Sequence, residues 1–130
     1  MANTVEQRVY EHLTEDGEFV AKFPGGVHLT SAPQGSKLPR LVFWQVDDPN
    51  NKRFLCLHGG QARIQLDVWS DNKYDVVELR TDVKTKMRTL RGADGIYVMY
   101  AKIANEFTRE MTNEELFRGV VDVIVEWQEA

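Results

Sequence analysis

The arrangement of apolar and polar residues along the chain is regular enough in several places to predict the element it builds. Val5, Val9 and Leu13 recur at helical spacing, and Asn3 with Glu6 after it has the form of a capping box. In Arg63-Ile64-Gln65-Leu66-Asp67-Val68-Trp69 the apolar Ile64, Leu66 and Val68 alternate with mostly polar residues. That period of two places them on one face of a sheet. Val76, Leu79, Val83, Met87 and Leu90 follow at spacings of three and four, an amphipathic helix of about five turns. Ser70 or Asp71 is the expected cap of that helix, and Asp82 with Lys86 has the spacing of an ion pair along it.

Between these anchors the signals are shorter. Asp16-Gly17 reads as a helix stop, and Phe19, Val20 and Phe23 form an apolar cluster, a second short helix broken by Pro24-Gly25-Gly26. Val27 to Leu29 suits a brief strand, and residues 31–39 carry the prolines and glycine of a loop. Leu41 to Val46 is β-branched and aromatic, a strand, followed by a turn at Asp47-Asp48-Pro49-Asn50-Asn51. Phe54 to Leu57 is a further strand segment leading into a flexible Gly59-Gly60. Gly92 and Gly95 end the long helix, and Ile96 to Ile103 reads as a strand running on toward Phe107. Thr112 with Glu115 suits the cap of a short turn. In the closing strand, Phe117 to Trp127, Gly119, Val121, Val123 and Val125 share one face, and Arg118, Asp122 and Glu126 share the other. This order predicts a single α+β domain over 1–130, with a mostly antiparallel sheet and helices packed on one face.

Composition narrows the classes. The chain has 130 residues, 42% apolar and 28% charged, with formal net charge -4, and a pI near 5.4. An acidic balance disfavours whole-protein attraction to nucleic acid. Cys56 is the one cysteine, so an internally stapled secreted fold is excluded. The first residues lack the basic and apolar pattern of a signal peptide, and no apolar stretch approaches the roughly twenty residues of a membrane span. A reducing cytoplasm is the expected site of synthesis, and no membrane partner is expected.

The residues offer little for catalysis. Cys56 and His58 would share a face of a strand, but His12 and His28 lack paired ligand spacing, so no metal site is expected and Cys56 reads as a small hydrophobe. There is no G-x-S-x-G elbow, and Ser31, Ser36 and Ser70 suit turns and caps. Asp47 and Asp48 suit a turn, and Asp67, on the polar face of its strand, is expected to be solvated or in an interface rather than a general acid. Gly25-Gly26 and Gly59-Gly60 lack phosphate-loop frames and read as hairpin turns or mobile loops. Neither a cofactor nor an enzymatic activity is expected.

Two features suggest contacts instead. Arg80, Lys84, Arg88 and Arg91 line a stripe on the long helix. Such a stripe is most often a solvated face. Its functional reading is an electrostatic contact, with DNA or with acidic patches on a neighbouring subunit, and the acidic total charge favours the subunit. Trp69 falls on the polar face of its strand, where it is covered by the N-terminal segment or anchors an interface.

The order of motifs resembles the tail-completion, or head-to-tail joining, family of long-tailed phages. The resemblance is carried by Ala32-Pro33-Gln34-Gly35 and Leu38-Pro39-Arg40-Leu41-Val42-Phe43, then by Arg63 to Trp69 with Ser70-Asp71-Asn72-Lys73-Tyr74 and the helix to Leu90. The closing Arg118-Gly119-Val120-Val121-Asp122-Val123 is also similar, so the likeness spans about Val5 to Trp127. It implies an oligomeric ring, commonly a hexamer, that caps the head-proximal end of the tail tube and meets the head connector. The expected partners are further copies of itself, tail-tube and head-connector proteins, with room for non-specific DNA contact in the ring lumen. The implied location is the virion tail, after assembly in the host cytoplasm. The rival reading is a small monomeric nucleic-acid-binding module that uses the basic helix stripe.

Overall fold

The computed structural model describes residues 4–33, 35–46, 59–92, 96–111 and 116–129. The turn expected at Asp47 to Asn51, the segment Phe54 to Leu57 with Cys56 and His58, and the cap at Thr112 lie outside the described residues.

Helix α1 spans Val5–Thr14 and buries Val5, Val9 and Leu13 as its spacing predicts. Its cap is Thr4 rather than Asn3: Thr4 has extended backbone, and its hydroxyl accepts from the Gln7 amide at 3.1 Å. Thr4 and Gln7 have the three-residue separation of a capping box, one residue further along than the Asn3–Glu6 pair. Asp16 marks a start as well as a stop. Its carboxylate caps the short helix α2, Gly17–Val20, accepting from Glu18 at 3.0 Å and Phe19 at 3.3 Å.

The sheet contains β1 (Val27–Leu29), β2 (Arg40–Val46), β3 (Gly59–Ser70), β4 (Ile96–Met111) and β5 (Leu116–Glu129), in the order β1-β2-β3-β5-β4. The β1–β2 pair is parallel and the other pairs are antiparallel. Gly59 and Gly60 are not a loop but the first residues of β3, paired with Gln128 and Trp127. A long partner strand satisfies their backbone groups and overrides glycine's poor strand preference.

Helix α3 spans Lys73–Arg88, shorter at its end than the apolar stripe suggested, because Thr89 is its C-cap and Leu90 is buried just beyond it. The helix has therefore ended before Gly92, which takes a positive φ of 62° and bridges to Val98. Gly95 lies outside the described residues. The N-cap is Asn72, not Ser70 or Asp71, and its side chain accepts from Tyr74 at 2.9 Å and Asp75 at 3.3 Å. Ser70 instead closes β3, buried, and its hydroxyl accepts from the Asn72 amide.

The three described helices cover one sheet face. Ile64, Leu66 and Val68 of β3 and Val121, Val123 and Val125 of β5 meet Leu41, Phe43, Val83, Met87, Val9 and Leu13 in one buried cluster. Each such side chain contributes about 1.5–3 kcal/mol when fully buried. The seat of α3 on β5 depends on Gly119, where an added Cβ would stand 2.8 Å from Val76 Cγ1. The expected Asp82–Lys86 pair does not form: Asp82 meets Lys22 at 3.1 Å and Lys86 meets Asp16 at 3.4 Å. Both side chains point to the α2 segment, so they tie it to α3 rather than to each other.

Candidate functional site

Among the described residues, the sheet face that carries no helix holds the more unusual chemistry. Strand register sets Arg40 opposite Trp69, Trp69 opposite Arg118, and Arg118 opposite Arg109. These residues form one row across β2, β3, β5 and β4. The guanidinium carbons of Arg40 and Arg118 lie 5.9 and 5.5 Å from the Trp69 ring, and that of Arg109 lies 5.6 Å from the Phe107 ring. An aromatic ring attracts cations through its negative face. This explains why a tryptophan stands on the polar side of β3. The helices lie on the other face, so they do not cover it.

Arg118 is held from below. Its Nη2 and Nε lie 2.6 and 2.7 Å from Asp67 Oδ2, and Gln65 donates to Asp67 Oδ1 at 3.2 Å. Asp67, expected to be solvated or in an interface, is instead buried within the chain itself, 1% exposed. The alternation does turn it away from the helix side. Its cross-strand neighbours are the buried Val42 and Val120, which exclude water from this face too. Burial pushes the Asp67 carboxyl above the ordinary carboxylate range, and Arg118 and Gln65 pull it back in part. A raised carboxyl is one requirement of a general acid, and no local pattern around Asp67 announces it. Here it is engaged on both oxygens, and its geometry is that of an ion pair orienting a guanidinium. Next to it, Asp122 meets Arg63 at 3.4 Å through Oδ2, and its Oδ1 is buried without a donor among the described residues.

Beside the row lies a groove of about 330 Å³, walled by Thr30, Ser31 and Ala32 on one side and by Arg40, Trp69 and Arg118 on the other. Gly25 supports this edge. A Cβ there would run into the Lys37 carbonyl oxygen and stand 2.8 Å from Arg40 Cβ. Gly25-Gly26 is thus a close-packed turn, with Gly26 at a φ of 91°.

The basic stripe on α3 is divided by the fold. Arg80 donates to Thr108 at 2.7 Å and approaches Glu106 at 3.5 Å, while Lys84 meets Glu106 at 2.9 Å. The Lys84 hydrogen bond, followed by the nearby lysine and arginine charges, holds Glu106 below the usual carboxylate range. These two cations therefore fasten α3 to β4. Arg88 and Arg91 are exposed at the far end, where Arg91 donates to the Leu90 and Arg88 carbonyls. The structure brings Trp69 together with Arg40, Arg118 and Arg109, not with the helix stripe.

The histidines serve the framework. His12 Nε2 lies 2.8 Å from the Lys86 carbonyl and 3.0 Å from the Thr89 hydroxyl, and burial lowers its pKa. His28 Nε2 lies 2.7 Å from the Gly25 carbonyl. Among the described residues, no group of three or more His, Cys, Asp or Glu side chains is placed to hold a metal ion. Alternation along β5 puts Arg118 on the polar face of its strand, but nothing local in the sequence marks Arg40, Arg118 or Arg109 as a site. The available signal was the parity of Trp69 and Arg118; the missing information was which strands pair, and in what register.

Comparison with known proteins gives a consistent result. The family model described as "Tail completion protein gp17" matches residues 7–126. A chain of the solved "Virion of native gene transfer agent (GTA) particle" is 14% identical, covers 95% of this chain and 94% of its own, and superposes with a TM-score of 0.70. At that identity the likeness is one of fold. A second solved chain, 9% identical over 100% of this chain and 96% of its own, has a TM-score of 0.49. Among curated proteins none matches the sequence.

Proposed function

The chain belongs to the tail completion protein gp17 family, a family of structural phage tail proteins, and from that premise we propose that it caps the head-proximal end of the tail tube as an oligomeric ring and joins it to the head connector. As a virion component it assembles with other tail and head proteins. The observation that carries the reading is the family match, which runs from α1 through most of β5 and so includes every element of the fold. The structure supports it with a framework whose polar clusters serve positioning: Asp67 orients Arg118, Glu106 fastens α3, and His12 ties α1 to the end of α3. No catalytic role is part of the proposal. The rival reading, nucleic-acid binding by the helix stripe, loses Arg80 and Lys84 to Glu106.

The test is made on particles. Labelled protein in electron micrographs should mark the junction of head and tail, and phage lacking the gene should yield filled heads and tails that remain apart. Label at the distal tip, or joined particles without the protein, refutes the proposal.

A further inference from the structure

Among the described residues, two open surfaces lie on opposite sides of the sheet. On the bare face, Arg118 is matched by Asp67. Arg40 and Arg109 meet aromatic rings, and neither meets a carboxylate among the described residues. The row therefore carries an excess of positive charge beside a groove. On the other side, the outer ridge of α3 bears Tyr74 at 83% and Val77 at 41% exposure. They are one turn apart on the helix. Asp71, Asp75 and Glu78 stand exposed near them with one cation, Lys73, so the ridge is net acidic, and none of the four forms an ion pair among the described residues.

We propose that these surfaces are the two halves of a contact between copies of the chain: the Tyr74–Val77 ridge of α3, with Asp75 and Glu78, docks on the Arg40–Trp69–Arg118–Arg109 row of the next copy. This names the lateral interface of the proposed ring and rests on that reading. The signs are complementary, acidic ridge against basic row, which favours the register and disfavours like faces meeting. The receiving side is preorganised. Trp69 is fixed between two guanidiniums and Arg118 is fixed by buried Asp67, so little side-chain freedom is lost on docking. The groove beside Trp69 offers room for an aromatic side chain such as Tyr74. Because α3 and the row lie on opposite sheet faces, one copy cannot satisfy both halves by itself. The contact is head-to-tail, the kind that closes into a ring or continues as a filament. A phosphate backbone is the weaker candidate, with only Arg40 and Arg109 unmatched on a chain of net charge -4.

The experiment uses the full chain in reversed-charge variants, R40E/R109E for the row and D75K/E78K for the ridge, with Tyr74→Ser as a neutral third. Sedimentation across a concentration series reads assembly, thermal unfolding checks the fold, and particles carrying the variants are scored for the ring. Each reversed variant alone should self-associate about tenfold or more weakly than the wild type, and an equimolar mixture of the two should recover assembly. Tyr74→Ser should weaken assembly with an unchanged Tm, since so exposed a side chain holds little of the fold. Variants that assemble like the wild type place the interface elsewhere and overturn this proposal while the ring reading stands. A wild-type chain that is monomeric in solution and single-copy in particles removes both. Duplex DNA binding that is lost in R40E/R109E while assembly is unchanged also overturns it, and assigns the row to phosphate.

Discussion

Replacing Arg118 by alanine leaves the Asp67 carboxylate buried without its cation, and the consequences can be worked through in sign and size. Asp67 is 1% exposed and takes both contacts, at 2.6 and 2.7 Å, on one oxygen. Removing one partner of a buried pair costs about 3–5 kcal/mol. The Arg118 side chain is 23% exposed, so water refills part of the gap and the lower end, about 3 kcal/mol, is expected. Loss of the cation–π contact with Trp69 adds about 0.5–1 kcal/mol. In a chain of 130 residues the total corresponds to a fall in Tm of roughly 13–15 °C. The pH dependence is the sharper test. Burial already raises the Asp67 pKa above 3.8. The folded state therefore binds the proton more tightly than the unfolded state, and stability falls as pH rises through the window above that value. Without Arg118 the raising influence remains and the main lowering one is gone, so the window extends upward. The deficit of Arg118→Ala should be full at about pH 7 and shrink at about pH 4.5, and adding Asp67→Asn should recover much of it. Urea unfolding at both pH values measures this. A deficit below about 1 kcal/mol at neutral pH, or one equal at both pH values, refutes the reasoning.

Other expectations follow from the framework. Gly119→Ala should cost about 1–3 kcal/mol by forcing α3 off β5 at Val76, and an unchanged urea midpoint would show that the seat can give. Glu106→Gln should cost under about 1 kcal/mol, because its side chain is 35% exposed and screened by water. The Glu106 pKa is lowered in the fold, so its contribution is present above 4.5 and lost as pH falls through the folded value; the variant should lose that part of the acid-side decline. His12 shows the converse for a base. Burial lowers its pKa below 6.5, the unfolded state binds the proton more tightly, and stability should fall as pH drops from that value toward the folded one. Guanidinium unfolding across that range should give a flatter profile for His12→Gln, and an unaltered slope would show that another group is responsible.

The local pattern was a good guide wherever an element had one apolar face and one polar face. Ile64, Leu66 and Val68 on β3, Val121, Val123 and Val125 on β5, and Val76, Leu79, Val83 and Met87 on α3 are buried as their periods require. Periodicity is a property of neighbours in sequence, and burial of a stripe follows from it directly. Caps were misplaced by a residue or two at Asn3 and at Ser70 or Asp71, because Ser, Thr, Asn and Asp can all do this work and the backbone angles decide which does. Gly59-Gly60 looks flexible in sequence because glycine's conformational freedom is local, while its partner on β5 is distant in sequence.

The candidate site shows the same division more clearly. That Trp69, Asp67 and Arg118 face away from the core was legible from parity alone. That Arg40, Trp69, Arg118 and Arg109 form a row, that Asp67 is dry, and that Glu106 takes two cations from the α3 stripe were not. Sequence by itself determined the α+β class, the buried stripes and, through the family resemblance, the kind of protein. The tertiary structure decided which charges are spent inside the molecule and which remain for a partner. The physical reason is that an ion pair or a cation–π contact depends on strand order and register, which bring together residues as far apart as Arg40 and Arg109.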